Sequence, residues 1–215
     1  MSVRVLIGER EISPPFSVHK PFVSEEEYLE IADEDTRCEL IFGELIMNSP
    51  ASTIHEEIFR FILSLLSFYV EERDIGTVLG ANTAIHFKRE LILVPDLVFV
   101  ARKREGIIKD TFIEGSPDLV MEILSETTRE NDLGRKLEIY KRYSVKEIWI
   151  IDPEEKSIQL NRLLKKDYKT KKVRGGILKS GVIPGFFIYL EWLFISPRPK
   201  IRECFEKILA SNEPL

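Results

Sequence analysis

Residues 118–152 constrain the fold most tightly. DLVMEILS reads as an apolar strand, residues 129–143 repeat Leu133, Leu137 and Tyr140 at helical spacing, and EIWIID reads as a second apolar strand. A strand, a crossover helix and a strand of these lengths make a βαβ unit, so the two strands run parallel in one sheet with a right-handed crossover. Along the first strand, Val120, Glu122 and Leu124 share one face, and Leu119, Met121 and Ile123 share the other. Glu122 therefore sits among apolar side chains, where an unpaired carboxylate is costly to desolvate. It requires either a bound cation or a structural ion pair, for which an Arg from elsewhere in the chain is one source.

A second acid stands in a neighbouring apolar run, LVPDLVFVA, where Asp96 follows Pro95. Proline cannot donate to a β-ladder, so this pair marks a place where the strand begins or is distorted at an open end. Asp96 is either a metal ligand there or simply a polar strand terminus. Asp118, in another Pro-Asp pair, is assigned to structure. At about 100° per residue, Lys136 projects beside Tyr140 and Tyr143 at the flank of the helical stripe and can reach over the strand ends. Alternatively it pairs with Asp132 in solvent.

The rest of the chain supplies a frame. Ser24 and Glu27 match a capping box and open a short helix ending by Asp33–Asp35. CELIF and ELIMN flank Phe42-Gly43 as a hairpin, and Ser52 caps a long helix to about Glu72. Residues 77–87 and 91–101 are expected to form a pair of strands around the turn at Lys88-Arg89-Glu90. SIQLNRLL and DYKTKKVR form a further hairpin, and a last helix runs through Ile201, Phe205 and Ile208. Val3, Val5 and Ile7 suggest an extended N-terminal arm. Lys165, Lys166, Lys169, Lys171, Lys172 and Arg174 form the one dense basic run, read as a solvated hairpin that could also touch phosphates.

The 215 residues fit one domain with decorated ends, and a net charge of −5 argues against coating nucleic acid by bulk electrostatics. Cys38 and Cys204 lie far apart with no CxxC spacing, no secretory leader is recognisable, and no apolar run approaches the roughly 20 residues of a membrane span. The expected setting is cytoplasmic, with no membrane. His19 and His86 have no zinc-ligand spacing to another His or Cys.

Taken together, CELIFGELIMNSP with His55 soon after, VPDLVFV, PDLVMEILSETTRENDLGRKLEIYKRYSVKEIWIIDP and the closing IPGFF resemble the Uma2 family of restriction-endonuclease-like proteins, within the PD-(D/E)XK nuclease superfamily. The resemblance implies an α/β fold with an αβββαβ core: a mixed central sheet flanked by helices, plus an extra N-terminal hairpin and a C-terminal β-hairpin and helix. It implies an N-terminal arm over 1–21, a nuclease-like domain over 22–195 and a C-terminal helix over 196–215 packed on the same domain. Asp96 is then the PD acid and Glu122 the second acid. The superfamily lysine would stand two residues after that acid, where this chain has Leu124, and the resemblance implies that Lys136 takes its role.

The implied catalytic set is Asp96, Glu122 and Lys136. Asp96, Glu122 and the main-chain carbonyl of Ile123 would hold Mg²⁺ or Mn²⁺, with Glu44 and His55 as supporting candidates. For Glu44 the alternative is a hairpin surface charge, and for His55 a satisfied polar residue in the first helical turn. The implied function is a divalent-metal-dependent endonuclease acting on nucleic acid, DNA ahead of RNA, with a homodimer as the expected assembly. The alternative is a catalytically inactive nucleic-acid-binding or protein-interaction module that keeps the fold; an enzyme acting on a small phosphate ester is the third reading.

Overall fold

Two six-stranded sheets carry the chain, and the long central helix covers one of them. In the computed structural model, residues 6–7, 10–11, 13–32 and 36–211 are described. The expected strand residues Val3 and Val5 and the expected helix end at Asp33–Asp35 lie outside them.

In chain order the elements are β1 (Leu6–Ile7), β2 (Arg10–Glu11), β3 (Ser17–Lys20), α1 (Glu25–Ile31), β4 (Cys38–Ile41), β5 (Glu44–Asn48), α2 (Thr53–Arg73), β6 (Gly76–Leu79), β7 (Ala84–Lys88), β8 (Leu91–Leu93) and β9 (Leu97–Ala101). A 3₁₀ turn (Arg102–Ile107) leads to β10 (Phe112–Glu114), β11 (Leu119–Ile123), α3 (Arg129–Asn131), a π turn (Asp132–Lys136), α4 (Leu137–Arg142) and β12 (Glu147–Asp152). The chain continues through β13 (Ser157–Leu164), β14 (Asp167–Val173), β15 (Ile177–Lys179), β16 (Phe187–Tyr189), α5 (Glu191–Phe194) and α6 (Ile201–Ala210).

Local chemistry explains several of these boundaries. Ser24 Oγ accepts from Glu27 N at 3.1 Å while Glu27 Oε2 accepts from Ser24 N at 2.9 Å, so two otherwise unpaired amides at the start of α1 are satisfied. Ser52 Oγ accepts from His55 N at the start of α2. Phe42 (φ 52) and Gly43 (φ 80) make the two-residue turn between β4 and β5 with both residues left-handed, as a tight hairpin requires.

The central sheet has the order β14-β13-β12-β11-β9-β6, and only β11 and β12 run parallel, joined by the crossover through α3 and α4. This is the βαβ unit expected from residues 118–152, set in the mixed sheet that the resemblance implies. The second sheet has the order β10-β7-β8-β4-β5-β3. The two runs around the Lys88-Arg89-Glu90 turn do pair, but each is broken in the middle and shared between the sheets: β7 pairs β8 in one, β6 pairs β9 in the other. The break in the second run falls at Val94-Pro95-Asp96, where proline has no amide to offer a ladder. In the first run it falls at residues 80–83, beginning at Gly80, where an added Cβ would come within 3.0 Å of the Phe59 ring on α2.

Each face of the central sheet has its own core. Leu97, Phe99, Leu119, Met121, Ile123, Trp149 and Ile151 meet Ile58, Phe61, Ile62, Leu65, Leu66 and Tyr69 of α2, with Cys204 and Ile208 of α6 in the same cluster. On the other face, Val98, Val100, Val120, Ile148 and Ile150 pack with Ile41, Ile46, Ile85, Leu91 and Leu93 of the second sheet and Leu137 and Tyr140 of α4. Full burial of each large aliphatic side chain contributes about 1.5–3 kcal/mol before entropy is subtracted. Strand alternation puts Glu122 on this second face, between the sheets. Among the described residues, no helix is long and apolar enough to cross a membrane.

Candidate active site

Asp96 and Glu122 are brought together by strand register. Met121 stands opposite Leu97 in the antiparallel β11–β9 ladder, so one step further places Glu122 beside Asp96 at the end of β11. The Ile123 amide donates to Asp96 Oδ2 at 2.7 Å. Asp96 Oδ1 accepts from Arg37 Nη2 at 2.9 Å, and its Oδ2 lies 3.3 Å from His55 Nε2. Glu122 Oε1 accepts from the Tyr140 hydroxyl at 2.6 Å and forms an ion pair with Lys136 Nζ at 2.8 Å. Glu122 is 1% exposed, and Asp96 and Lys136 are 3% exposed.

The helix carrying the lysine is not α-helical throughout. Asp132–Lys136 form a π turn, the wider winding that often occurs at functional sites, and both end residues are buried. Lys136 Nζ contacts Glu39 Oε1 at 2.8 Å and Asp132 Oδ1 at 3.2 Å as well as Glu122. Thus the Asp132–Lys136 pair exists, but inside the protein rather than in solvent. These groups line one cavity of about 420 Å³, whose wall also includes Arg37, His55 and Ile123. Asn48, Asn82, Ser125 and Thr128 contribute uncharged hydrogen-bonding groups to the same wall.

The electrostatics are those of acids outnumbering cations. Burial pushes the Glu122 carboxyl well above the usual range; Lys136 counters this, while Asp132, Asp96 and Glu39 reinforce it. Asp132 is raised as well, chiefly by burial. Burial would also raise Asp96, but the His55 hydrogen bond and the Arg37 guanidinium overcome it and hold that carboxyl well below its ordinary value. Burial acts to lower Lys136, yet Glu122, Glu39 and Asp132 keep its ammonium well above the ordinary lysine range. His55 is likewise raised: Asp96 outweighs the desolvation that would lower it.

The sequence candidates divide. The structure brings Asp96, Glu122, Lys136 and His55 to the cavity, with Ile123 in its wall and its main-chain N–H, not its carbonyl, on Asp96. Glu44 is not brought there. It lies at the hairpin end with its side chain 29% exposed, where it accepts from His19 Nδ1 at 2.9 Å and pairs with Arg135. Glu39 faces the cavity instead. It carries the same sequence signal as Glu122, an acid inside a fully buried strand, CELI. Arg37 and Asp132 also line the cavity, and nothing in their local sequence distinguishes them from surface charges.

Among the described residues, no group of three or more His, Cys, Asp or Glu side chains is arranged to hold a metal ion. The chemistry of the donors nevertheless fits a hard divalent cation. Asp96 and Glu122 offer carboxylate oxygens at one cavity, and the buried acids Glu39, Asp96, Glu122 and Asp132 exceed the charge of Lys136 and Arg37.

No curated protein matches the chain. It is similar to a crystal structure of "a putative nuclease belonging to DUF820 from Anabaena variabilis ATCC 29413", with a TM-score of 0.67 and 18% identity over 80% of this chain and 97% of that one, a likeness that bears on the fold alone. Residues 25–191 match the model of the Uma2 family, described as "Putative restriction endonuclease", and with well over half of its length matched the chain belongs to that family.

Proposed function

We propose that the chain is a divalent-metal-dependent endonuclease that hydrolyses phosphodiester bonds in nucleic acid, with DNA ahead of RNA as substrate. The observation carrying this reading is the juxtaposition of two buried carboxylates on neighbouring strands, Asp96 and Glu122, with the Lys136 ammonium 2.8 Å from the second. Asp96 and Glu122 would hold Mg²⁺ or Mn²⁺, with the Ile123 carbonyl as a further oxygen donor and water and phosphate oxygens completing the shell. When bound, the ion supplies an activated water and neutralises charge on the phosphate.

The remaining steps belong to this chain's own groups. Ile123 N–H, Arg37 and His55 fix the Asp96 carboxylate, and the Tyr140 hydroxyl, donating to Oε1, orients Glu122. Lys136 keeps its proton and serves as a positive charge beside the phosphate as negative charge grows there, not as the base that takes a proton from water. Water adds to phosphorus, the bond to one ester oxygen breaks, and that oxygen leaves with a proton as the new strand end.

One observation favours a second reading, a non-catalytic binding module: the two cations lining the cavity, Arg37 and Lys136, are both already paired with acids. Supercoiled, linear and single-stranded DNA incubated with the protein and Mg²⁺ or Mn²⁺ separates the two. Cleavage lost in Asp96→Ala and Glu122→Ala supports the nuclease; cleavage indifferent to both changes removes these acids from the mechanism. Absence of metal binding in calorimetry favours the module.

A further inference from the structure

We propose that Glu39 and Asp132 are positioning residues of the active site: with Glu122 they surround the Lys136 ammonium with three ion-pair contacts and so hold it beside the acid pair. The inference rests on the phosphodiesterase reading, and it explains the pairing that otherwise favours a silent module. A lysine ammonium has three donors and no acceptor. Here the three contacts are Glu39 Oε1 at 2.8 Å, Glu122 Oε1 at 2.8 Å and Asp132 Oδ1 at 3.2 Å.

The two bracketing acids come from different places. Glu39 lies on β4, inside the second sheet, and the same Oε1 that meets Lys136 also accepts from Val94 N at 3.0 Å. Val94 leads directly into Pro95-Asp96. One oxygen atom therefore ties the second sheet, the segment presenting Asp96 and the helix presenting Lys136. Asp132 comes from the lysine's own helix through the π turn. A long lysine side chain has several rotatable bonds and no preferred reach of its own; between these acids it has one position.

The contact lengths also imply an order of release. An ammonium that turns towards a phosphate oxygen gives up its weakest partner first, and Asp132, whose Oδ1 accepts no hydrogen bond, holds the longest of the three contacts. Glu39 is the anchor and Asp132 the exchangeable partner. Replacing Glu39 should therefore cost more than replacing Asp132.

The test uses the full chain and the variants Glu39→Gln, Asp132→Asn, Lys136→Met and the Glu39→Gln/Lys136→Met double variant. In metal-free protein, acetic anhydride labelling followed by mass spectrometry should find Lys136 protected in the parent and labelled about tenfold faster in Glu39→Gln, the scale of a direct coupling between contacting residues. With Mn²⁺ and DNA, kcat should fall by about tenfold in Glu39→Gln with KM unchanged, by less in Asp132→Asn, and no further in the double variant than in Lys136→Met. Should Glu39→Gln fail to fold, Asp132→Asn carries both readouts. Lys136 remaining protected in both acid variants, or losses that multiply in the double variant, would overturn the proposal. Increased labelling in a protein that cleaves nothing would sink the phosphodiesterase reading and leave the bracket around Lys136 standing.

Discussion

Glu122 and Glu147 lie on adjacent strands of one sheet, both sealed from water, and they are treated in opposite ways. Glu147 opens β12, opposite Leu119, and both its oxygens are matched: Oε1 accepts from Trp149 Nε1 and Ser180 Oγ at 2.9 Å, Oε2 from Arg162 Nε at 2.7 Å and Gly181 N at 2.8 Å. Its neighbour Asp118 is matched too, by Lys146, Arg104 and the Ala101 amide. At the other end of the same strands, Tyr140 and Lys136 both meet Glu122 at Oε1, and two further acids, Glu39 and Asp132, crowd the lysine it shares. A buried acid is therefore not in itself a site. Acids that exceed their donors at a cavity mark a candidate site.

The contrast can be broken in four ways. The largest effect should come from Asp96→Ala or Glu122→Ala, each lowering kcat/KM by at least about 10³-fold in a metal-dependent cleavage assay, the scale of losing a group that stabilises transition-state charge. Retention of activity in either variant would remove the functional difference between the two ends of these strands. Glu147→Ala should instead show itself in urea unfolding, losing about 3–5 kcal/mol because Arg162 and three other donors are left without their acceptor. Full activity in the fraction still folded completes that expectation.

Next in size are pH effects of opposite sign. Burial acts to raise Asp118, but Lys146, the Ala101 amide and Arg104 outweigh it and hold the carboxyl below its ordinary value. Its contribution is therefore present above the unfolded value near ~3.9 and lost as pH falls through the lower folded value. Asp118→Asn should flatten the acid limb of stability against pH. Glu122 is raised in the fold, so its contribution is present below ~4.3 and lost as pH rises through the folded value. Glu122→Gln should accordingly raise the thermal midpoint of the metal-free protein at neutral pH, by an amount that shrinks towards pH ~4. A lower midpoint at neutral pH would contradict it. The smallest effect belongs to Glu44→Ala, which should leave kcat unchanged and cost at most about 1 kcal/mol, as expected for partly exposed ion pairs.

Much of this was legible in advance wherever the cause is local. The Ser24–Glu27 box, the Phe42-Gly43 turn and the alternation along residues 119–124 depend on neighbours within four positions, and each took the form its residues imply. Residues 91–101 were harder. The apolar runs on either side of Pro95-Asp96 read as one strand distorted there, and only the stacking of two sheets makes it useful for the chain to cross between them at Pro95. Glu44 shows the reverse, taking the hairpin surface position that was one of its two open readings. An acid in the right motif was drawn away by His19 and Arg135, while Glu39, 55 residues from Val94 in sequence, turned inward.

What the sequence by itself determined is the βαβ unit and the face on which Glu122 lies, with Pro95 marking where a strand begins or is distorted. Those follow from residue periodicity and from proline's missing amide, which act within a few residues of where they are written. Tertiary structure alone decided how the acids are partnered: Arg37 on Asp96 across 59 positions, Glu39 on Lys136 from the other sheet, and Asp132 turned inward by a π turn. Ion pairing in a low-dielectric interior depends on distances of a few ångströms between elements, and these exist only once the sheets have packed.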